Sequence, residues 1–91
     1  MIIAGSFYKI IPVNDSSPFY DLELLRDIGG SNPRKEFKNE AYGVTLESAI
    51  IRCANFAIRS KYKKDEVITL KQYLDEFKEE KKKIQIEVCG N

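Results

Sequence analysis

Hydrophobic and polar positions follow two different periods along this chain, and the change from one to the other falls near Val44. Phe7-Tyr8-Lys9-Ile10-Ile11-Pro12-Val13 is aromatic and β-branched, which predicts a strand. Pro12 ends that strand or places it at an edge, because proline cannot donate to a ladder. Asn14-Asp15-Ser16-Ser17-Pro18 is a cluster of turn formers, so the chain reverses there. From Phe19 to Ile28, Tyr20, Leu22, Leu24 and Ile28 share one face while Asp21, Glu23 and Asp27 point the other way. That alternation predicts a second strand with one core face and one acidic, wet face. After a turn at Gly29 to Pro33, Arg34 to Tyr42 predicts a third antiparallel strand with Phe37, Asn39 and Ala41 on one face.

Beyond Gly43 the period becomes helical. Thr45 is an N-cap, Val44 the apolar residue before it, and Glu47 favours the positive end of the helix dipole. Leu46, Ala49, Ile50, Cys53, Phe56 and Ala57 form one stripe, and Ile51, Ala54 and Ile58 a second beside it. A helix apolar over most of its circumference must be covered on two sides. Either a second helix covers Ile51 and Ile58, or that stripe meets a partner, a second copy of the chain included. The break is expected at Asp65-Glu66, followed by a short link at Val67-Ile68 and a helix capped by Thr69 and running from Leu70 to about Lys82. Its apolar face is read as Leu70, Tyr73, Leu74 and Phe77. Ile84, Ile86 and Val88 alternate with Gln85, Glu87 and Cys89, which fits a short C-terminal strand rejoining the sheet. The fold class is α+β in a single domain, residues 1–91: a three-stranded antiparallel sheet, two helices and a short final strand.

Composition narrows the chemistry. The chain has no His, so it lacks the usual imidazole base, a Ser-His-Asp triad and an imidazole metal ligand. Its two cysteines cannot build a structural zinc site, and Cys53 sits where a small core residue belongs; both are read as free thiols in a reducing cytoplasm. Gly29-Gly30-Ser31-Asn32-Pro33 lacks the Lys-Ser/Thr of a phosphate loop. No carboxylate pair sits in an apolar setting that would raise a pKa. The expectation is therefore no catalytic residue, no metal and no cofactor. No apolar run is long enough to span a membrane, and Met1 to Ala4 lacks the basic start of a secretory signal, so the chain is expected in the cytoplasm.

Fifteen Lys and Arg against fourteen Asp and Glu give a net charge of +1, which excludes an extended basic field for nucleic acid. Charge is concentrated locally. Arg59, Lys61, Lys63 and Lys64 surround the aromatic Tyr62, a pattern suited to a phosphate with a stacking face, although a cationic helix terminus explains it too. Asp21, Glu23 and Asp27 form an acidic face that could meet a basic partner or simply be solvated.

The order of three strands, then a helix opened by Ala41-Tyr42-Gly43-Val44-Thr45-Leu46-Glu47-Ser48-Ala49, resembles plant ethylene-response-factor domains and the arm-binding domains of phage integrases. That resemblance implies a sheet entering a DNA groove, with Arg34, Lys35 and Lys38 on phosphates. Residues 1–43 depart from it, carrying five cations against six carboxylates. Over its whole length the chain resembles small proteins encoded by phages and prophages of low-GC Gram-positive bacteria. The likeness is carried by Tyr20-Asp21-Leu22-Glu23-Leu24, the Tyr42 to Ala49 helix opening and Val67-Ile68-Thr69-Leu70-Lys71-Gln72-Tyr73-Leu74. It implies a non-catalytic inhibitor that binds a host defence protein, such as a CRISPR nuclease, in the host cytoplasm. The surfaces expected to make that contact are Ile51 and Ile58 on the first helix and Asp21, Glu23 and Asp27 on the sheet. Two alternatives stand beside it: a nucleic-acid module using the sheet, and an oligomeric sponge for small nucleotides built around Tyr62.

Overall fold

A computed structural model describes residues 1–89, Cys89 by its backbone alone, as a four-stranded antiparallel sheet followed by two helices. The elements are β1 (Ile3–Ala4), β2 (Tyr8–Pro12), β3 (Tyr20–Ile28), β4 (Arg34–Val44), α1 (Leu46–Lys61) and α2 (Leu70–Cys89). Contacts divide the chain into two units, residues 1–49 and the residues from Ile50 onward.

In the first unit the strands lie in chain order, each paired with its sequence neighbour. The fourth strand is the N-terminal β1, where three were expected. At two residues it is too short for a period to show, and it joins the sheet through Ile3 opposite Ile10 and Ala4 opposite Lys9. Gly5 makes that tight reversal possible. Its N–H donates to the Tyr8 carbonyl at 3.0 Å, and a Cβ there would lie 2.3 Å from the Tyr8 ring. The expected turn at Asn14 to Pro18 is fastened by side chains: Asn14 Oδ1 accepts from the Ser16 N–H and Ser17 Oγ from the Phe19 N–H.

Tyr8, Ile10, Leu22 and Leu24 are all but inaccessible, and the register pairs Tyr8 with Leu24 and Ile10 with Leu22, so they fill one face of the sheet. Each of the aliphatic ones contributes roughly 1.5–3 kcal/mol by leaving water. The expected face of β4 is corrected by its register. Glu23 pairs with Asn39 but Leu22 pairs with Ala41, so Glu40 is an extra residue in β4. Such a bulge shifts all that follows by one position. Ala41 therefore lies with Leu22 on the buried face, while Phe37 and Asn39 lie on the opposite one with Leu25 and Glu23. A second irregularity separates Leu22 from Tyr20, and Gly43 meets it with a left-handed backbone, φ 61°. The Gly43 N–H donates to Asp21 Oδ1 at 2.9 Å.

The helices begin where the caps predict. Thr45 Oγ1 accepts from the Ser48 N–H at 3.2 Å and Thr69 Oγ1 from the Gln72 N–H at 3.0 Å. On α1, Ile50, Cys53, Ala54 and Ile58 are buried in one line. This helix ends at Lys61, earlier than the expected break at Asp65-Glu66. There Glu66 folds back, its carboxylate accepting from the Lys63 N–H at 3.0 Å and its own N–H donating to the Lys63 carbonyl at 3.1 Å.

The expected C-terminal strand does not form: α2 continues through Ile84, Ile86 and Val88. Ile84 follows Phe77 by seven positions and Glu80 by four, so it continues a helical line as readily as it starts an alternation. No Gly or Pro interrupts residues 70–89, and nothing stops the helix from propagating. The buried line of α2 is also not the expected one. Glu80 and Ile84 are buried and Tyr73 and Phe77 half-buried, whereas Leu70 and Leu74 are exposed. Positions 73, 77, 80 and 84 share one helical face, from which 74 is rotated by about 90°, while Leu70 stands near that face and is exposed as the first residue of α2.

Candidate ligand groove

The loop after α1 and the first turn of α2 enclose an open groove of about 480 Å³ in the helical unit. Ile58 and Ile68 supply apolar wall, Tyr62 and Tyr73 aromatic wall, and Arg59, Lys63 and Lys64 a cationic rim against the single carboxylate of Glu66. Both tyrosines are held by their hydroxyls. Tyr62 donates to Glu76 Oε2 and accepts from Gln72 Nε2 at 3.3 Å, and Tyr73 donates to Asn55 Oδ1. Hydroxyls fixed in this way leave the rings as preformed walls, which lowers the entropy lost when a ligand is held. The bond to Glu76 also raises the Tyr62 pKa, so this phenol stays neutral.

Of the cluster nominated around Tyr62, the structure brings Arg59, Tyr62, Lys63 and Lys64 together and takes Lys61 away. Lys61 Nζ lies 2.9 Å from Glu80 Oε1 and 3.7 Å from Glu76 Oε1. The hydrogen bond to Glu80 raises the Lys61 pKa and, reciprocally, lowers that of Glu80. Lys83, at 3.6 Å, is the second cation on Glu80, which explains how an acidic side chain only 11% exposed is tolerated. The groove was not readable in full from sequence. Ile68 and Tyr73 reach it because the chain turns back at Glu66; the local pattern announces a break at Asp65-Glu66 but not which residues it brings to Tyr62.

The other nominated residues are divided between the two units, Ile51 and Ile58 in the second and the sheet residues in the first. Ile58 is buried and Ile51 half-buried, so that stripe of α1 is mainly interior. On the sheet, Glu23 stands opposite Lys9, Asp27 opposite Lys35, and Asp21 holds the Gly43 N–H, so each acid has a donor or cation beside it. Lys9 also places Nζ 4.3 Å from the centre of the Phe37 ring. Two of the three cations nominated for phosphates are engaged by a carboxylate. Arg34 and Lys38 both bind Glu36, whose pKa is lowered first by Arg34 and then by Lys38, and Lys35 faces Asp27.

Cys53 is a free, fully buried thiol; burial, and secondarily the charge of Glu87, push its pKa up to about 12. The reading of Cys89 lies outside the described side chains. Among the described residues, no group of three or more His, Cys, Asp or Glu could hold a metal ion, and no helix is long and apolar enough to cross a membrane.

Exposed apolar residues flank the groove residues in sequence. Val67 is 94% exposed, Leu70 73% and Leu74 47%, all next in sequence to groove residues or one position beyond them. No protein-family model, curated protein or solved structure matches the chain.

Proposed function

We propose that this chain is a non-catalytic binding protein of the phage accessory type, which inhibits a host protein by occupying its surface. The observation that carries the reading is that the helical unit exposes the apolar Val67, Leu70 and Leu74 and also carries the cationic rim of Arg59, Lys63 and Lys64. Exposed apolar side chains bordered by charge are how a protein contact is built, with the apolar centre supplying the energy and the rim the orientation. The sign of the rim selects an acidic partner surface that presents an apolar protrusion to the groove. Defence enzymes, CRISPR nucleases included, are the partner class implied by the phage-like sequence pattern.

The test compares three tagged chains in a Gram-positive host lysate: wild type, Leu70→Asp/Leu74→Asp, and Ile86→Asp as a control at an exposed position away from the groove. The expected result is one protein retained by wild type and control and lost by the double variant. The same proteins retained on all three chains would refute this surface.

A second reading has its own observation. The groove is large enough for a mononucleotide, with tyrosine rings to pack a base and three cations for its phosphates. A ligand at one hundred times its Kd stabilises the folded state by about 2.7 kcal/mol. A panel of linear and cyclic nucleotides should then raise the melting temperature of wild type and not of Arg59→Glu/Lys63→Glu, and an unchanged melting temperature across the panel would remove the sponge reading.

A further inference from the structure

The sheet ends in a long open edge. β4 runs for eleven residues with β3 as its sheet neighbour, so its other side offers unpaired backbone donors and acceptors. Arg34, Lys35, Lys38 and Asn39 are exposed along it. Charges on an edge strand commonly prevent association, and the Glu40 bulge adds to that protection. What distinguishes this edge is the arrangement of its charges.

If two copies pair antiparallel about a two-fold axis at Phe37, the opposed positions can be read from the sequence. Glu36 of each copy stands opposite Lys38 of the other, Lys35 opposite Asn39, and Phe37 opposite Phe37. Opposed residues in an antiparallel pair share a face, so unlike charges meet directly and the two aromatic rings meet at the axis. A shift of the axis to Lys38 would instead oppose Glu36 to Glu40, like against like. The pattern thus favours one two-fold register over its neighbour, which a merely protective edge has no reason to do. The matching run ends at Asn39, because Glu40 is the bulged residue and is already bound by Arg26.

We infer that β4 is a self-complementary edge through which a second copy of this chain docks, joining two four-stranded sheets into one of eight. The contact is isologous, so it closes at two copies and cannot propagate into a fibre through the same edge. It uses the first unit, leaving the groove of each copy in the second, and it does not depend on the function proposed for that groove.

Charge exchange at the edge tests it. Lys38→Glu places Glu opposite Glu36 at both symmetric positions, and Glu36→Lys places Lys opposite Lys38. Side chains at these positions are 36% and 52% exposed for Glu36 and Lys38, so each variant should fold, which circular dichroism checks. By sedimentation equilibrium the wild type should have twice the mass of one chain, and each single variant should dissociate about tenfold more readily or worse. Mixing the two variants should restore the dimer, because every opposed pair in the mixed species is again unlike. A wild type that stays monomeric up to several hundred micromolar, or a dimer indifferent to both variants, would overturn the inference.

Discussion

Ile84 and Ile86 give the sharpest check on how the C-terminal segment is built. As a strand, residues 84, 86 and 88 would share one face and be equally important. In α2 they are separated by about 200° around the helix axis, and Ile84 is 2% exposed whereas Ile86 is 48% exposed. Ile84→Ala removes three carbons from a closed site. At about 0.8 kcal/mol each this is about 2.4 kcal/mol of lost transfer energy, and the cavity left behind brings it to about 3. Alanine returns a few tenths through its helix propensity. For a domain of this length the loss should lower the melting temperature by roughly 10–25 °C. Ile86→Ala loses about half the transfer term, creates no closed cavity and gains the same propensity, so it should cost less than about 1 kcal/mol. Thermal and urea unfolding followed by far-ultraviolet circular dichroism measure both. Equal losses for the two variants would refute the helical reading of this segment, and with it the assignment of Ile84 to the buried line.

Three further outcomes follow from other sites. Gly5→Ala forces a methyl group into the Tyr8 ring, so unfolding should show a loss of about 1–3 kcal/mol, and an unchanged Cm would mean that β1 does not reverse as described. With Cys89→Ser isolating the other thiol, Cys53 in the folded chain should be nearly inert to a thiol reagent at pH 8 and react fully in denaturant; because its raised pKa keeps it protonated only when folded, stability should also decline above about pH 9, where the unfolded thiol ionises. The lowered pKa of Glu80 makes its contribution present above the unfolded carboxylate value near 4.5 and lost as pH falls through the folded one, so Glu80→Gln should be destabilised by no more than about 1 kcal/mol at pH 7, Lys61 being partly exposed, with the difference shrinking as the pH falls below the unfolded value. A constant difference across that range would mean that the loss arises from packing.

Local signals of known chemistry located most of the elements. The Asn14 to Pro18 turn, the caps at Thr45 and Thr69 and the alternation of Leu22 and Leu24 each depend on neighbours a few residues away, and each is found where expected. What escaped depends on more distant partners. The face of Ala41 is decided by an extra residue at Glu40, visible only once β3 and β4 are paired. The burial of Glu80 needs Lys61 from another helix, without which a helical pattern scored by hydrophobicity selects Leu70 and Leu74 for the interior. Ile84 to Val88 fits both a strand and a helix, and the absence of a breaker after Lys83 settles it in favour of the helix already under way. The Tyr62 cluster was legible as a composition of charge and ring, yet the loss of Lys61 to Glu80 and the recruitment of Ile68 and Tyr73 were not.

The order of the strands has a kinetic consequence. Since β1 to β4 each pair only with the strand next in sequence, every closure in the sheet joins segments separated by one short turn or by the length of a hairpin. Loop-closure entropy is then met in small steps, and sheets of low contact order form faster than those whose strands wait for distant partners. The meander also leaves a ribosome before the helices do. Its hairpins can register while α2 is still being made.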